Sequence, residues 1–222
     1  MGCVKGIMFD LDGTLLDTLQ DIAGAMEAAL LEEGLPANPL EAYHGFIGKG
    51  LDNLVARAAH VATDRDLAQR LKKGFSSHYA VNWARATLPY TGIVPMLEAL
   101  AEKKVPLWVH SNKTHEFCLR IIEHFFPHIP FAAVAGSKEG VPLKPAPDAA
   151  LALIAAEGLE PASVLMVGDM LPDFELARRA GMVSVGALWG FSPEEARRAR
   201  LVASRPMDVV RFFEGSTDLY VS

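Results

Sequence analysis

Five short apolar runs constrain the fold of this chain more than any other feature. They are VKGIMFDLDG (4–13), PLWVHSN (106–112), FAAVAGS (131–137), SVLMVGD (163–169) and MVSVGAL (182–188). Each is nearly continuous and rich in β-branched residues or bounded by Gly, the pattern of a strand buried on both faces of a parallel sheet. Helical spacing fills the gaps between them. Ile93, Met96, Leu97 and Leu100 repeat in this way, as do Phe117, Ile121 and the Phe125 region. Ala149, Leu153 and Ala156 follow the same period and close at Gly158, a C′ residue. Ser192-Pro193-Glu194-Glu195 offers an N-cap, a Pro at N1 and a capping-box Glu, so a helix should start there. Strand–helix alternation predicts an α/β fold, a Rossmann-like doubly wound parallel sheet.

Residues 16–88 break the alternation. Leu19, Ile22, Ala23, Met26, Ala29 and Leu30 form an amphipathic helix ending at Gly34, and two more helical stretches follow near 50–60 and 64–82. No strand signal appears there, and Pro89 and Gly92 mark the return to the sheet. The expected organisation is an α/β core domain of 1–15 and 89–222 with an inserted all-helical domain at 16–88.

The chain is 50% hydrophobic, enough to build a core, and carries a formal net charge of −6. That balance argues against nucleic acid or an anionic membrane as partner, since both need a basic footprint. Cys3 and Cys118 are too few for a disulfide framework and fit a reducing compartment. The N-terminal MGCVKGIMF forms no signal-peptide core, position 6 is Gly rather than the Ser or Thr of a myristoylation site, and no apolar stretch approaches a membrane span. The expectation is a cytoplasmic protein, monomer or homodimer.

The chemistry begins at Asp10-Leu11-Asp12-Gly13-Thr14, where the first strand ends. In an open α/β sheet, ligands bind at the carboxyl ends of strands. Alone, D-x-D-G divides evenly between an ordinary turn and a ligand site. Three further strand ends shift that balance. The second offers Ser111-Asn112-Lys113, with a hydroxyl, an amide and the start of a helix. The third leads to Lys144-Pro145-Ala146-Pro147-Asp148, and the fourth ends in Gly168-Asp169, with Asp173 one helical turn on. Turn statistics account for any one of these and poorly for all four. Carboxylates with a hydroxyl and a lysine suit Mg²⁺ bound together with a substrate phosphate.

With these residues in place, the chain resembles the haloacid dehalogenase-like phosphatases, and within them the phosphoglycolate phosphatase group. The resemblance rests on DLDGT (10–14), HSNK (110–113), Lys144 in KPAPD and GDMLPD (168–173), in that order, and covers essentially the whole chain. It implies that Asp10 is the nucleophile, forming an aspartyl-phosphate, and that Asp12 is the general acid and base. It further implies Mg²⁺ held by the Asp10 carboxylate, the Asp12 carbonyl and Asp169, with Asp173 supporting the metal shell or Lys144. Thr14, Ser111, the Asn112 amide and Lys144 would take the phosphoryl oxygens. The 16–88 block would be a cap that closes over the site and selects the substrate. Its Gly48-Lys49-Gly50 would meet the substrate carboxylate or organic end, a reading balanced evenly against a plain inter-helix turn. Met170 stands where the family commonly has a small polar residue.

The implied activity is a Mg²⁺-dependent phosphatase for a small phosphorylated metabolite, with 2-phosphoglycolate as best single candidate. The alternatives are a phosphomutase of the same fold acting on a sugar phosphate, or a phosphatase for pyrophosphate or a nucleotide. A dehalogenase would need neither Asp12 nor the Asp169/Asp173 pair. His124 and His128 lack companion ligands for a metal site, and His110 reads as strand packing. Phe212, Phe213 and Tyr220 read as packing residues of a terminal helix and tail, and Arg197-Arg198-Ala199-Arg200 as a solvated helix face. Asp10, Asp12, Asp169 and Asp173 account for −4 of the net charge, and Mg²⁺ with Lys144 would bring that to about −1.

Overall fold

The computed structural model describes residues 3–59 and 65–215. The chain opens with β1 (Gly6–Phe9) and β2 (Leu16–Asp17), followed by four helices, α1 (Leu19–Glu32), α2 (Tyr43–Phe46), α3 (Leu51–Ala59) and α4 (Arg65–Asn82). β3 (Leu88–Pro89), α5 (Ile93–Glu102), β4 (Leu107–Thr114), α6 (His115–Phe125) and β5 (Ala133–Ser137) come next. The remainder alternates as α7 (Asp148–Ala156), β6 (Val164–Gly168), α8 (Leu171–Ala180), β7 (Val183–Ala187), α9 (Pro193–Ala196), β8 (Leu201–Ala203) and α10 (Met207–Phe213).

Six strands form one parallel sheet in the order β5-β4-β1-β6-β7-β8. β1 lies at its centre, with Ile7 facing Leu107 on one side and Leu165 on the other. Alternation along β1 sorts its side chains between two layers. Ile7 and Phe9 join a cluster with Met96 and Leu100 of α5, Ile121 of α6 and Phe212 of α10. Met8 points the other way, into Trp108, Met166, Ile154 of α7 and Leu176 of α8. Ile7, Met8 and Phe9 are fully buried, as a central strand covered on both faces requires. From β1 the chain moves outward through β4 to β5, then returns to β6 on the other side. That reversal opens a crevice beyond the carboxyl ends of β1 and β6.

Helices α1–α4 bury a separate cluster around Met26, Leu30, Tyr43, Leu71 and Tyr79. Where a purely helical stretch was expected, the two crossings to this block are paired strands. Leu16 pairs with Pro89 and Asp17 with Leu88. Two-residue strands carry no periodicity, so sequence patterning does not reveal them. The second crossing is held to α1 by Asp21, whose buried carboxylate accepts hydrogen bonds from the Ala86 N–H (2.9 Å), the Thr87 N–H (2.8 Å) and the Thr87 hydroxyl (2.7 Å). Asp21→Ala strands these donors and is expected to destabilise the protein by about 2–4 kcal/mol. Urea unfolding checks this, and a change under about 0.5 kcal/mol would remove Asp21 from the crossing.

Two other expectations are corrected near the end of the chain. α9 begins after Ser192 but lasts one turn, and no capping box forms, because the Glu195 carboxylate accepts from the Leu171 N–H at 2.7 Å instead. Arg197, Arg198 and Arg200 are exposed, as a solvated face would be, but they follow α9 in a turn rather than lying on a helix. Phe212 is buried in α10 and Phe213 packs against the same core, while Tyr220 lies outside the described residues. His124, in the last turn of α6, packs edge-on against Trp83 and Phe125. Among the described residues no helix is long and apolar enough to cross a membrane.

Candidate active site

The chain leaves β1 at Asp10, whose N–H donates to the Val167 carbonyl of β6, and turns at once. The Leu11 carbonyl accepts from the N–H groups of Thr14, Leu15 and Leu16, folding the segment into a tight loop. Gly13 permits this loop for two reasons. Its φ is +84°, and a Cβ there would collide with the Asp169 carboxylate. Gly168 is constrained in the same way, since a Cβ would strike the Asp173 carboxylate. The backbone is thus brought against a pocket of acids that any side chain would fill.

Within that pocket the Lys144 ammonium donates to Asp10 Oδ1 at 2.5 Å and to Asp173 Oδ1 at 2.7 Å. All three residues are buried. The second oxygen of Asp173 accepts from the Met170 N–H at the start of α8. Asp169, fully buried, accepts from the Thr14 hydroxyl at 3.0 Å and from the Phe191 N–H at 2.8 Å. One carboxylate oxygen from each of Asp10, Asp169 and Asp173 lies within 4.8 Å of the others. Burial pushes Asp169 well above the ordinary carboxylate range, and the charges of Asp10 and Asp173 add to it. Burial also raises Asp10, against the pull of Lys144. Lys144 goes the other way: burial opposes its charge, but Asp10 and Asp173 outweigh that and hold the ammonium above the usual lysine range.

Above this cluster is a cavity of about 80 Å³. Asp10, Asp12, Ser111 and Asn112 line its floor, and Ile22, Ile47, Leu54, Phe75 and Tyr79 of the helical block form its roof. The Ser111 hydroxyl accepts from the Lys113 N–H at 3.3 Å, which leaves its own proton free to donate. The Asn112 side chain is occupied. Its Oδ1 accepts from the Lys144 N–H at 2.8 Å, while its amide donates to the carbonyls of Gly48 (3.0 Å) and Lys144 (3.2 Å). It therefore ties the lysine loop and the helical block to β4, and only the main-chain amide after Ser111 remains for a ligand.

Thr14 also differs from its expected surroundings, because its hydroxyl is committed to Asp169 rather than facing the cavity. Gly48 and Gly50 line the cavity and Lys49 does not. Gly48 adopts φ +93° and lies so close to Met170 that a Cβ would meet the Met170 sulfur at 2.5 Å. Met170, the departure from the family's usual small polar residue, thus packs against the loop that Gly48 forms.

One residue of the site was not singled out from sequence. Lys113 donates to both oxygens of Asp12, at 3.0 and 3.2 Å, and its ammonium stands 4.6 Å from the centroid of the Tyr79 ring. It is the one cation in the lining among the described residues. Burial opposes its charge, but the adjacent Asp12 prevails and holds it above the usual lysine range. Its place directly after Ser111-Asn112 was the available signal. His110, just before them, is buried with Nδ1 unpartnered, and burial lowers it to about 3, so it remains a neutral packing residue.

Comparison with known proteins follows the same lines as the geometry. A phosphoglycolate phosphatase of Aquifex aeolicus is 34% identical over 211 residues, spanning 95% of this chain and 97% of its own length. A phosphoglycolate phosphatase of Mannheimia succiniciproducens is 35% identical over 196 residues, spanning 85% and 87%. A crystal structure from Haemophilus somnus, described as a predicted phosphoglycolate phosphatase, superposes with a TM-score of 0.88 at 28% identity, covering 96% of this chain and 99% of that one. The profile of the haloacid dehalogenase-like hydrolases matches residues 7–187, from β1 to the end of β7, and the chain belongs to that family.

Proposed function

We propose that the chain is a Mg²⁺-dependent phosphatase that hydrolyses a small phosphorylated metabolite through an aspartyl-phosphate on Asp10. The observation that carries this reading is the state of Asp10. Lys144 fixes Oδ1, while the second oxygen has no hydrogen-bond partner among the described residues and the side chain lines the cavity. A carboxylate oriented on one side and free on the other is set up as a nucleophile.

In the first step an Asp10 oxygen attacks phosphorus, and Asp12 gives a proton to the departing oxygen. In the second, Asp12 takes a proton from water as the water attacks the phosphoryl group, which restores the Asp10 carboxylate. Ser111, the amide after it and Lys144 hold the phosphoryl oxygens. The donor set suits Mg²⁺: hard carboxylate oxygens from Asp10 and Asp169, the Asp12 carbonyl, and Asp173 in support, in a glycine-lined pocket with an excess of buried negative charge. When bound, the ion supplies positive charge against the acids and the phosphoryl oxygens. Residues 16–88 act as a cap over the core of 1–15 and 89–222, and the apolar roof keeps bulk water from the phosphoenzyme.

The names of the relatives make 2-phosphoglycolate the first substrate to test. A phosphate-release screen with Mg²⁺ present, covering 2-phosphoglycolate, acetyl phosphate, sugar phosphates, nucleoside monophosphates and pyrophosphate, decides the matter. Turnover of a small phosphate compound is expected, with 2-phosphoglycolate ahead. Failure to release phosphate from any of them would remove the reading.

A further inference from the structure

The cavity is asymmetric in what it offers a ligand. Its floor is set out for a phosphoryl group, and the space beyond is walled by Ile22, Ile47, Leu54, Phe75 and Phe117. Besides the Thr114 and Ser137 hydroxyls, two polar groups interrupt that wall. One is the Lys113 ammonium, whose side chain is 7% exposed and whose carboxylate partner is Asp12. The other is the Tyr79 hydroxyl. Tyr79 is 1% exposed, lines the same cavity, and its hydroxyl has no hydrogen-bond partner among the described residues. Buried hydroxyls are almost always paired, so an orphan at a cavity wall marks a place where a ligand completes the set.

We propose that Lys113 and Tyr79 form the leaving-group subsite, taking a single carboxylate on a short phosphorylated hydroxy acid. This rests on the reading of the cavity as a phosphatase site and adds to it which residues choose the substrate. Lys49 is outside the lining, so the carboxylate is met by the core strand and α4 rather than by the Gly48–Gly50 loop. A lysine ammonium and a tyrosine hydroxyl give the carboxylate two donors, one of them charged. The cavity is small, about 80 Å³, which favours a short leaving group. The aliphatic and phenyl side chains of Ile22, Ile47, Leu54, Phe75 and Phe117 offer no partners for the hydroxyls of a sugar or nucleoside, whereas a ligand lacking the carboxylate would leave the Tyr79 hydroxyl unpaired. Tyr79 is itself fixed by a stacked contact with Phe75 (centroids 5.3 Å apart) and an edge contact with Phe117 (4.9 Å), so its hydroxyl position is set before any ligand arrives.

The test compares kcat/KM for 2-phosphoglycolate with that for acetyl phosphate, a two-carbon substrate without a free carboxylate. Measurements are made on the full chain with Mg²⁺ for the wild type, Lys113→Met, Lys113→Arg and Tyr79→Phe. In Lys113→Met the ratio of the two is expected to fall at least about 30-fold, and in Tyr79→Phe about 5- to 10-fold. Lys113→Arg should recover part of the ratio, because it restores a cation at the same place. Equal losses on both substrates, within about threefold, would overturn the subsite while leaving the phosphatase reading intact. Circular dichroism and melting of each variant separate a lost fold from a lost contact. If Lys113→Met does not fold, the ratio in Tyr79→Phe decides alone. Absence of turnover by the wild type on both substrates and across the wider screen would remove the phosphatase reading, and the subsite with it.

Discussion

Asp10→Asn is expected to abolish phosphate release from every substrate the wild type accepts, a loss of at least about 10⁴-fold, while the melting temperature stays level or rises. The two halves of this result come from the same geometry. Asn has the shape of Asp and can still accept from Lys144 through its oxygen, which places a non-nucleophilic NH2 where Oδ2 would attack phosphorus. On the stability side, Asp10 is buried beside Asp12 and Asp173, and burial already disfavours its charge. Neutralising it relieves that repulsion, while Lys144 keeps Asp173 as an anionic partner at 2.7 Å. Activity and stability should therefore move in opposite directions, as at sites that hold strained charge for function. Phosphate release and a thermal melt on the same preparation measure both. Turnover within about tenfold of wild type would remove Asp10 as nucleophile. A large fall in the melting temperature would show that its charge is structural.

Much of the architecture was legible because a central parallel strand has to be apolar on both faces. Gly6–Phe9 and Val164–Gly168 are buried throughout, and their sequences are continuous apolar runs ending in acids. The acids themselves were legible because strand ends at a topological switch point face one crevice. Other features depend on tertiary contacts that no local pattern encodes. β8 is three residues long, and β2 with β3 exists only because residues 71 and 73 positions apart along the chain meet. Glu195 follows the capping-box pattern locally but is drawn to the Leu171 N–H of another helix. Thr14 has the right type and place for a phosphate donor, yet Asp169, 155 residues away, claims its hydroxyl.

Lys113 shows the same limit with more consequence. In sequence its place after Ser111-Asn112 sets it at a strand end but does not say whether its side chain faces solvent or the site. Only the fold brings it to Asp12 and under the ring of Tyr79. Its presence changes the charge balance of the site. With Mg²⁺ bound as proposed and all four acids ionised, Asp10, Asp12, Asp169 and Asp173 against Lys144 and the ion leave about −1, and Lys113 brings the sum to about zero, before Asp12 gains the proton it gives up in the first step. A chain of net charge −6 can thus present a near-neutral pocket to an anion.

That neutrality depends on the ion, so removing it should have the second largest effect. EDTA is expected to lower the rate of phosphate release by at least about 10³-fold, with recovery on added Mg²⁺. Asp10, Asp169 and Asp173 place three carboxylate oxygens within 4.8 Å of one another, and Lys144 contacts two of these acids but not Asp169. Among the described residues, Asp169 has only the Thr14 hydroxyl and the Phe191 N–H to offset its buried charge. A ligand that binds the folded state alone stabilises it by about 2.7 kcal/mol at a hundredfold excess over Kd, so Mg²⁺ should raise the melting temperature of the wild type. Asp169→Asn keeps both hydrogen bonds by shape, since its oxygen can accept from Phe191 and its amide can donate to Thr14, but it loses the charge that draws the ion. Its melting temperature should respond little to Mg²⁺. Full turnover after EDTA, or an equal Mg²⁺ shift in both proteins, would place the ion elsewhere and leave Asp169 as a purely structural acid.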